Sequence, residues 1–418
     1  MKILENDSGL SFKKKNSFAL LANPIRPGSM TSSVCTLCSV IIGSGVMGLP
    51  YAVHKCGLLL GIFFILFSGL TCSFYYKILI NAVDKTKETT YIGIVAALLG
   101  KTPQKIIQIS LIIYSIGILC SYQAMIAQFL DSLLHSINII PSEYGDYCKI
   151  PITLIINLFV LFPLSLYRRL SSLRYTSIIS VTTIIYISAI VFIQTPSYLS
   201  RKYEFWEHFN WINFDYGAVN GLCIILFAFE ASRAIPIVYS EMKKRNPNKM
   251  GEIIGKTNNL IIAFYLVIGV FGFLSHIDNM PRLIVNREPL EENSIDLPMI
   301  MAKFCLSFTL MLGVPANVHM TRMAISNLST KLNTGINTHI AITALILLYS
   351  VITAIKIPDA ISYFKIIGGI FSVLIGKIFP TLIYWKLETS EFKRILLSSW
   401  TIFLTMLGIS TAYEALKG

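Results

Sequence analysis

The chain has 418 residues, of which 54% are hydrophobic and only 14% charged, and its mean hydropathy is +0.65. A soluble domain carries roughly a quarter charged residues, and no polar stretch here reaches the ~50 residues a small domain needs, so the composition excludes a water-soluble fold. The formal charge of +13 is spread over short loops instead of one stripe, which argues against a nucleic-acid partner.

In chain order, residues 1–29 are polar and include Lys13, Lys14 and Lys15. No short apolar core with a small-residue cleavage site comes before the first apolar segment, so no cleaved leader is expected. The tail is expected to be a disordered cytosolic extension, and 30–418 a single transmembrane domain. Eleven apolar segments approach the ~20 residues a spanning helix needs. They run over 30–53, 57–81, 106–134, 152–167, 175–194, 215–239, 257–276, 298–319, 338–355, 362–385 and 396–415. The fourth is short and contains Pro163.

Loop charge tests that count. With the N-terminus in the cytosol, 23 of the 35 basic residues fall on the cytosolic side and eight on the other. The remaining four, Arg233, Lys303, Lys365 and Lys377, lie within spans. The bias follows the positive-inside rule, and one missed span would invert every later loop. The loop over 277–297 is acidic and is expected outside. Asn6-Asp7-Ser8 and Asn327-Leu328-Ser329 match the glycosylation pattern, fall on the cytosolic side, and are expected to stay unused.

Most of the eight cysteines fall in apolar segments, where cysteine is a small packing residue. Cys35-x-x-Cys38 has no second pair or histidine at ligand spacing, so no metal is expected. Cys56 and Cys148 both fall on the outer side, which leaves a disulfide open. The six histidines form no motif, and no carboxylate pair or nucleophile–base spacing appears, which argues against an enzyme or a cofactor.

Two segments are interrupted. Ile41-Ile42-Gly43-Ser44-Gly45-Val46-Met47-Gly48-Leu49-Pro50 puts three glycines and a proline inside the first span. Lipid offers the backbone no hydrogen bonds, so irregular backbone at that depth survives only against protein or around a water-filled cavity. The second interruption, in span six, is Phe227-Ala228-Phe229-Glu230-Ala231-Ser232-Arg233-Ala234-Ile235-Pro236. Each of its charges costs roughly 2.5–3.5 kcal/mol at a bilayer centre. At i,i+3 they can share a helix face. Two readings stay open: a self-neutralising structural pair, or one member meeting a charged substrate or a coupling proton. Spans one and six are five apart. That spacing predicts an all-α membrane protein of two inverted five-helix halves, each opening on a broken helix, plus an eleventh helix.

At these residues the chain resembles the amino acid/auxin permease family, which includes vacuolar and sodium-coupled neutral amino acid transporters. The match is carried by Gly43-Ser44-Gly45-Val46-Met47-Gly48-Leu49-Pro50-Tyr51-Ala52 with Gly57 following. Phe227-Ala228-Phe229, Tyr239-Ser240-Glu241, the spacing of Pro315 to Arg322, and Gly368-Gly369 before Pro380 support it. The resemblance implies an eleven-helix amino acid carrier with two departures. Ser39 stands where sodium-coupled members usually have an asparagine, and Gly313 where they tend to carry a threonine. Both departures favour proton coupling or facilitated transport over sodium coupling. The Glu230-x-x-Arg233 pattern is also unusual for the family and marks an altered preference for substrate charge.

An amino acid presents a carboxylate and an ammonium. Backbone N–H groups at a half-helix start suit the first and unwound carbonyls the second, so Gly43, Ser44 and Gly45 are the expected cradle. Glu230, Arg233 and Tyr122 are further candidates for substrate contact. Phe227 and Phe229 either wall the pocket or pack ordinary helices. Ser39, Thr309 and Asn317 are candidates for an ion path, while Asp131, near the outer end of span three, is expected to be solvated. Lys377 either snorkels or stands in for a bound cation. The expected partners are an amino acid, the bilayer and a coupling proton, with no obligate protein partner. The membrane is expected to be the plasma membrane or a vacuolar or lysosome-like one. The alternative function is an amino acid sensor with little flux, signalling through the 82–105 and 240–256 loops. Broken inverted repeats argue against a channel.

Overall fold

The computed structural model describes residues 29–136, 149–166, 173–200, 209–243, 245–276, 280–289, 296–326, 328 and 335–417. Among them there are helices and no strands. The N-terminal tail to residue 28, both glycosylation-pattern asparagines and Cys148 lie outside the described residues. Cys56 is a buried free thiol 3.5 Å from the Ala218 carbonyl.

The chain begins with α1 (Met30–Ile41) and α2 (Ser44–Cys56), which meet at a 52° bend. Then follow α3 (Leu58–Thr86), the short α4 (Tyr91–Leu99), α5 (Lys101–His135), α6 (Ile150–Ser165) and α7 (Ser177–Leu199). Next come α8 (Tyr216–Ala228), the short α9 (Ile235–Glu241), α10 (Pro247–Ser275) and α11 (Leu297–Ser326). The last three are α12 (Ile336–Lys356), α13 (Ala360–Leu387) and α14 (Glu391–Thr411). By length and composition eight helices can cross a bilayer, or nine when α1 and α2 count as one bent span. The shorter apolar helices α6 and α8 fall where spans four and six are expected.

Local chemistry sets the ends. The Ser29 hydroxyl accepts from the Ser32 N–H at 3.2 Å and caps α1. Lys87 closes α3 in the left-handed region at φ 60°, and Gly100 closes α4 at φ 94°. Asp215 caps α8, Asn246 with Pro247 starts α10, and Asp359 caps α13.

α5 and α11 pack together along most of their length, and α8 lies between α2 and α13. In α5 and α13 67% of the most apolar window is buried, against 17% in α14, so α5 and α13 are central and α14 peripheral. Phe63, Leu70, Phe159 and Phe392 face outward, as a lipid-facing surface requires. π-helical turns interrupt α6 at Asn157–Leu161, α10 at Val267–Phe271, and α13 at Ile367–Ser372 and Leu374–Ile378. Such turns often mark functional positions.

Candidate functional site

The first break is a local loss of the helical ladder. The Ile42 N–H still donates to the Cys38 carbonyl at 2.7 Å, but the Gly43 N–H turns to the Ile41 carbonyl at 2.8 Å. Gly43 is extended (φ −98°, ψ −151°), a conformation open to any residue, so the break needs its lack of a side chain and not its backbone freedom. Ser44–Gly48 then form a 3-10 turn before the α-helix resumes.

In the second break α8 ends at Ala228 and residues 229–234 are non-helical. The Glu230 N–H donates to the Phe227 carbonyl at 3.1 Å and the Ala234 N–H to the Ala231 carbonyl at 2.9 Å. Pro236 sits in the first turn of α9, where its missing donor costs nothing.

Two tyrosines supply the hydrogen bonds that the breaks lose. The Tyr265 hydroxyl of α10 lies 2.7 Å from the Ala228 carbonyl and 3.0 Å from the Ile41 carbonyl, so a single O–H serves the freed ends of both half-helices. The Tyr76 hydroxyl of α3 donates to the Phe229 carbonyl and accepts from the Ala231 N–H at 2.9 Å. Neither tyrosine stands out in the sequence, because each lies in an ordinary apolar segment and its partner is 224 or fewer residues away through the fold.

The two breaks touch. A Cβ on Gly45 would lie 2.9 Å from the Ala228 Cα and 3.0 Å from the Phe227 ring. The first break also carries a buried hydroxyl with no hydrogen-bond partner among the described residues, Ser44 Oγ. Beside them Tyr122 of α5 fills the space between Gly43 and Gly313. Its hydroxyl would lie 3.3 Å from a Cβ on Gly43, and its ring edge 2.9 Å from one on Gly313. Phe227 stacks on Phe364 of α13 at 4.8 Å and tilts against Tyr114 at 6.3 Å, which makes it a wall of this region. Phe229 points away, edge-on to Tyr265 at 4.8 Å, and is a packing residue.

Glu230 and Arg233 do not share a helix face, because both lie in the non-helical stretch, and they form no ion pair. Glu230 Oε1 accepts from the Ser232 N–H at 2.8 Å, and its carboxylate abuts Gly376 in the π-turn of α13. Lys377 does not snorkel: it is 2% exposed, with Nζ 3.0 Å from Cys72 Sγ and 4.7 Å from the Tyr75 ring centre. Arg233 turns the other way. Nη1 donates to Ser115 Oγ and Nη2 to Asn317 Oδ1, both at 3.0 Å, and the guanidinium lies 5.3 Å from the Tyr114 ring centre.

Asn317 also donates to the Gly313 carbonyl at 3.1 Å, which ties Arg233 to the Tyr122–Gly313 contact. Ser39 and Thr309 lie apart from this group, each against a hydroxyl of span five. Ser39 Oγ is 2.8 Å from Ser177 Oγ, and Thr309 Oγ1 is 3.1 Å from Thr183 Oγ1. Asp131 is not solvated: it is 7% exposed and 3.6 Å from His135. It lines a separate cavity of about 520 Å³ along with Gln128, Ser132, Lys303 and the Arg282–Asp359 ion pair.

A family model described as "Transmembrane amino acid transporter protein" matches residues 26–414. The chain is 24% identical over 294 residues to a protein of Toxoplasma gondii named, provisionally, amino acid transporter AAT1. It is 25% identical over 319 residues to Vacuolar amino acid transporter 7 of Saccharomyces cerevisiae. These matches cover 70% and 72% of this chain but 40% and 59% of the relatives, so the chain spans about half their length. Among solved structures, MhsT in complex with L-phenylalanine superposes with a TM-score of 0.61 at 12% identity, over 93% of this chain and 98% of that one. A Na+-coupled sialic acid symporter gives 0.54 at 14% identity, over 93% and 90%. A manganese transporter of Eremococcus coleocola gives 0.57 at 10% identity, over 92% and 86%. At 10–14% identity this likeness shows the fold alone. With the family model matched across nearly its whole length, the chain belongs to the transmembrane amino acid transporter family.

Proposed function

We propose that this protein moves amino acids across a membrane by alternating access, coupled to protons or facilitative and independent of sodium. The observation that carries this reading is the contact of the two broken helices at Gly45 and Ala228, with the unpartnered hydroxyl of Ser44 beside it. Backbone groups freed in this way are the usual means of holding a zwitterion at mid-membrane. Gly43, Ser44 and Gly45 receive the amino acid backbone, Tyr122 and Phe227 bound it, and Arg233 and Glu230 face opposite sides of the second break. The helix-end dipole contributes only ~0.3–1 kcal/mol, so direct hydrogen bonds supply most of the affinity.

The names of the relatives support the substrate class, and one of them is vacuolar. In this reading α6 is span four and α8 with α9 is span six. Eleven spans then form two inverted halves plus α14, with the N-terminus in the cytosol of a plasma or vacuole-like membrane. The hydroxyls of Ser39 and Thr309 are already taken up by Ser177 and Thr183, which supports sodium independence. Where a proton is coupled, Glu230 is the buried carboxylate at the break.

Uptake of a radiolabelled amino acid panel into proteoliposomes, at two pH values and with sodium replaced by choline, tests this reading. The expected result is uptake that changes less than about twofold on the swap. A loss of most uptake in choline would overturn the coupling assignment.

A further inference from the structure

The charges around the second break do not cancel. Glu230 and Lys377 lie on the α13 side, both buried, with Gly376 giving the carboxylate room to approach. Around the break two cations, Lys377 and Arg233, stand against this one carboxylate, so the local charge is positive. Arg233 is left over on the opposite side. Among the described residues its side chain meets the Ser115 hydroxyl, the Asn317 side-chain oxygen and the face of Tyr114, all neutral. No ion pair joins it to any described carboxylate. A cation at this depth whose hydrogen bonds all go to neutral groups is a costly arrangement.

Arg233 is also placed to meet a ligand. It is only partly buried, unlike Glu230 and Lys377. A guanidinium has five N–H donors, and hydrogen bonds from one at each of Nη1 and Nη2 leave further donors free. Its planar fork matches a carboxylate. Through Asn317 it connects to Gly313, and through Gly313 to Tyr122 and Gly43. This chain of contacts connects Arg233 to the first break.

We infer that the transported amino acid has an anionic side chain and that Arg233 is its counter-charge. This rests on the transport reading above and narrows it to acidic amino acids. Ser115, Asn317 and Tyr114 act as positioning residues that hold the guanidinium in place before the substrate arrives.

The test compares L-glutamate and L-aspartate with L-glutamine and L-asparagine, using the full chain in proteoliposomes. The acids should enter at least about tenfold faster than their amides, since one well-placed charge pair is worth that order. Arg233→Gln should lower the ratio of acid to amide uptake by about tenfold or more. Arg233→Lys should keep part of the acid preference. Thermal protection of the unmodified protein by glutamate and not by glutamine gives the same answer with no variant that has to fold. Amides moving as fast as acids, or Arg233→Gln lowering all four alike, would overturn the inference. If none of the four moves while another amino acid does, the inference falls and the transport reading stands. If no amino acid of the wider panel moves, both fall.

Discussion

Tyr265 and Tyr76 supply hydrogen bonds that lipid cannot. Unpaired carbonyls at a helix end are tolerable in water and expensive in hydrocarbon. Tyr265 has one O–H for two such carbonyls, Ile41 and Ala228, so it ties the two breaks to one point. Tyr265→Phe should therefore lower stability by about 1–3 kcal/mol, the usual cost of orphaning a buried polar group. Thermal unfolding in detergent checks this, and an unchanged midpoint would mean that water or another group covers both carbonyls. The glycines and the proline of the first break were legible because each weakens a helix by itself. The tyrosines were not, since an aromatic in an apolar helix reads as packing until its hydroxyl is seen to point at a freed carbonyl. Phe227 and Phe229 show the same limit. They are two residues apart, yet one walls the centre and the other packs on Tyr265.

The helices hold the centre by a few polar ties. Arg322, toward the end of α11, donates to the carbonyl of Ser165, the last residue of α6, at 3.0 Å and to Thr343 Oγ1 of α12 at 2.7 Å. Hydrogen bonds from a charged group contribute ~1.5–3 kcal/mol each, so Arg322→Met should destabilise the protein by at least about 2 kcal/mol. Thermal unfolding again provides the readout, and a wild-type midpoint would show that apolar contacts alone fix these three helices. Gln123 and Asn157 form a second tie, exchanging bonds of 2.7 and 2.9 Å between α5 and α6. Hydropathy located both helices, but the pairing could not be read from residues 34 apart in the chain. In α13, Gly368-Gly369 and Pro380 marked an unusual span. The π-turns that bring Gly376 against Glu230 depend on tertiary contact and leave no periodic signal.

For the whole molecule, low charge content and loop asymmetry were enough to read a polytopic membrane protein, because the bilayer constrains composition more strongly than any soluble environment. The partition of charge within the membrane was not legible. At i,i+3 Glu230 and Arg233 read as a local pair, whereas the broken backbone sends one toward Lys377 and the other toward Asn317. The family match fixes the class of protein, and the likeness to solved transporters fixes the fold. The remaining claim is that substrate binds where the two breaks meet. Uptake by Gly43→Val in proteoliposomes tests it most directly. The added methyl groups enter the space between Gly43 and the Tyr122 hydroxyl, which leaves only 3.3 Å for a Cβ, and strain no backbone angle. The account predicts that uptake falls at least about tenfold while the protein still inserts and reconstitutes. Uptake at the wild-type rate would contradict it.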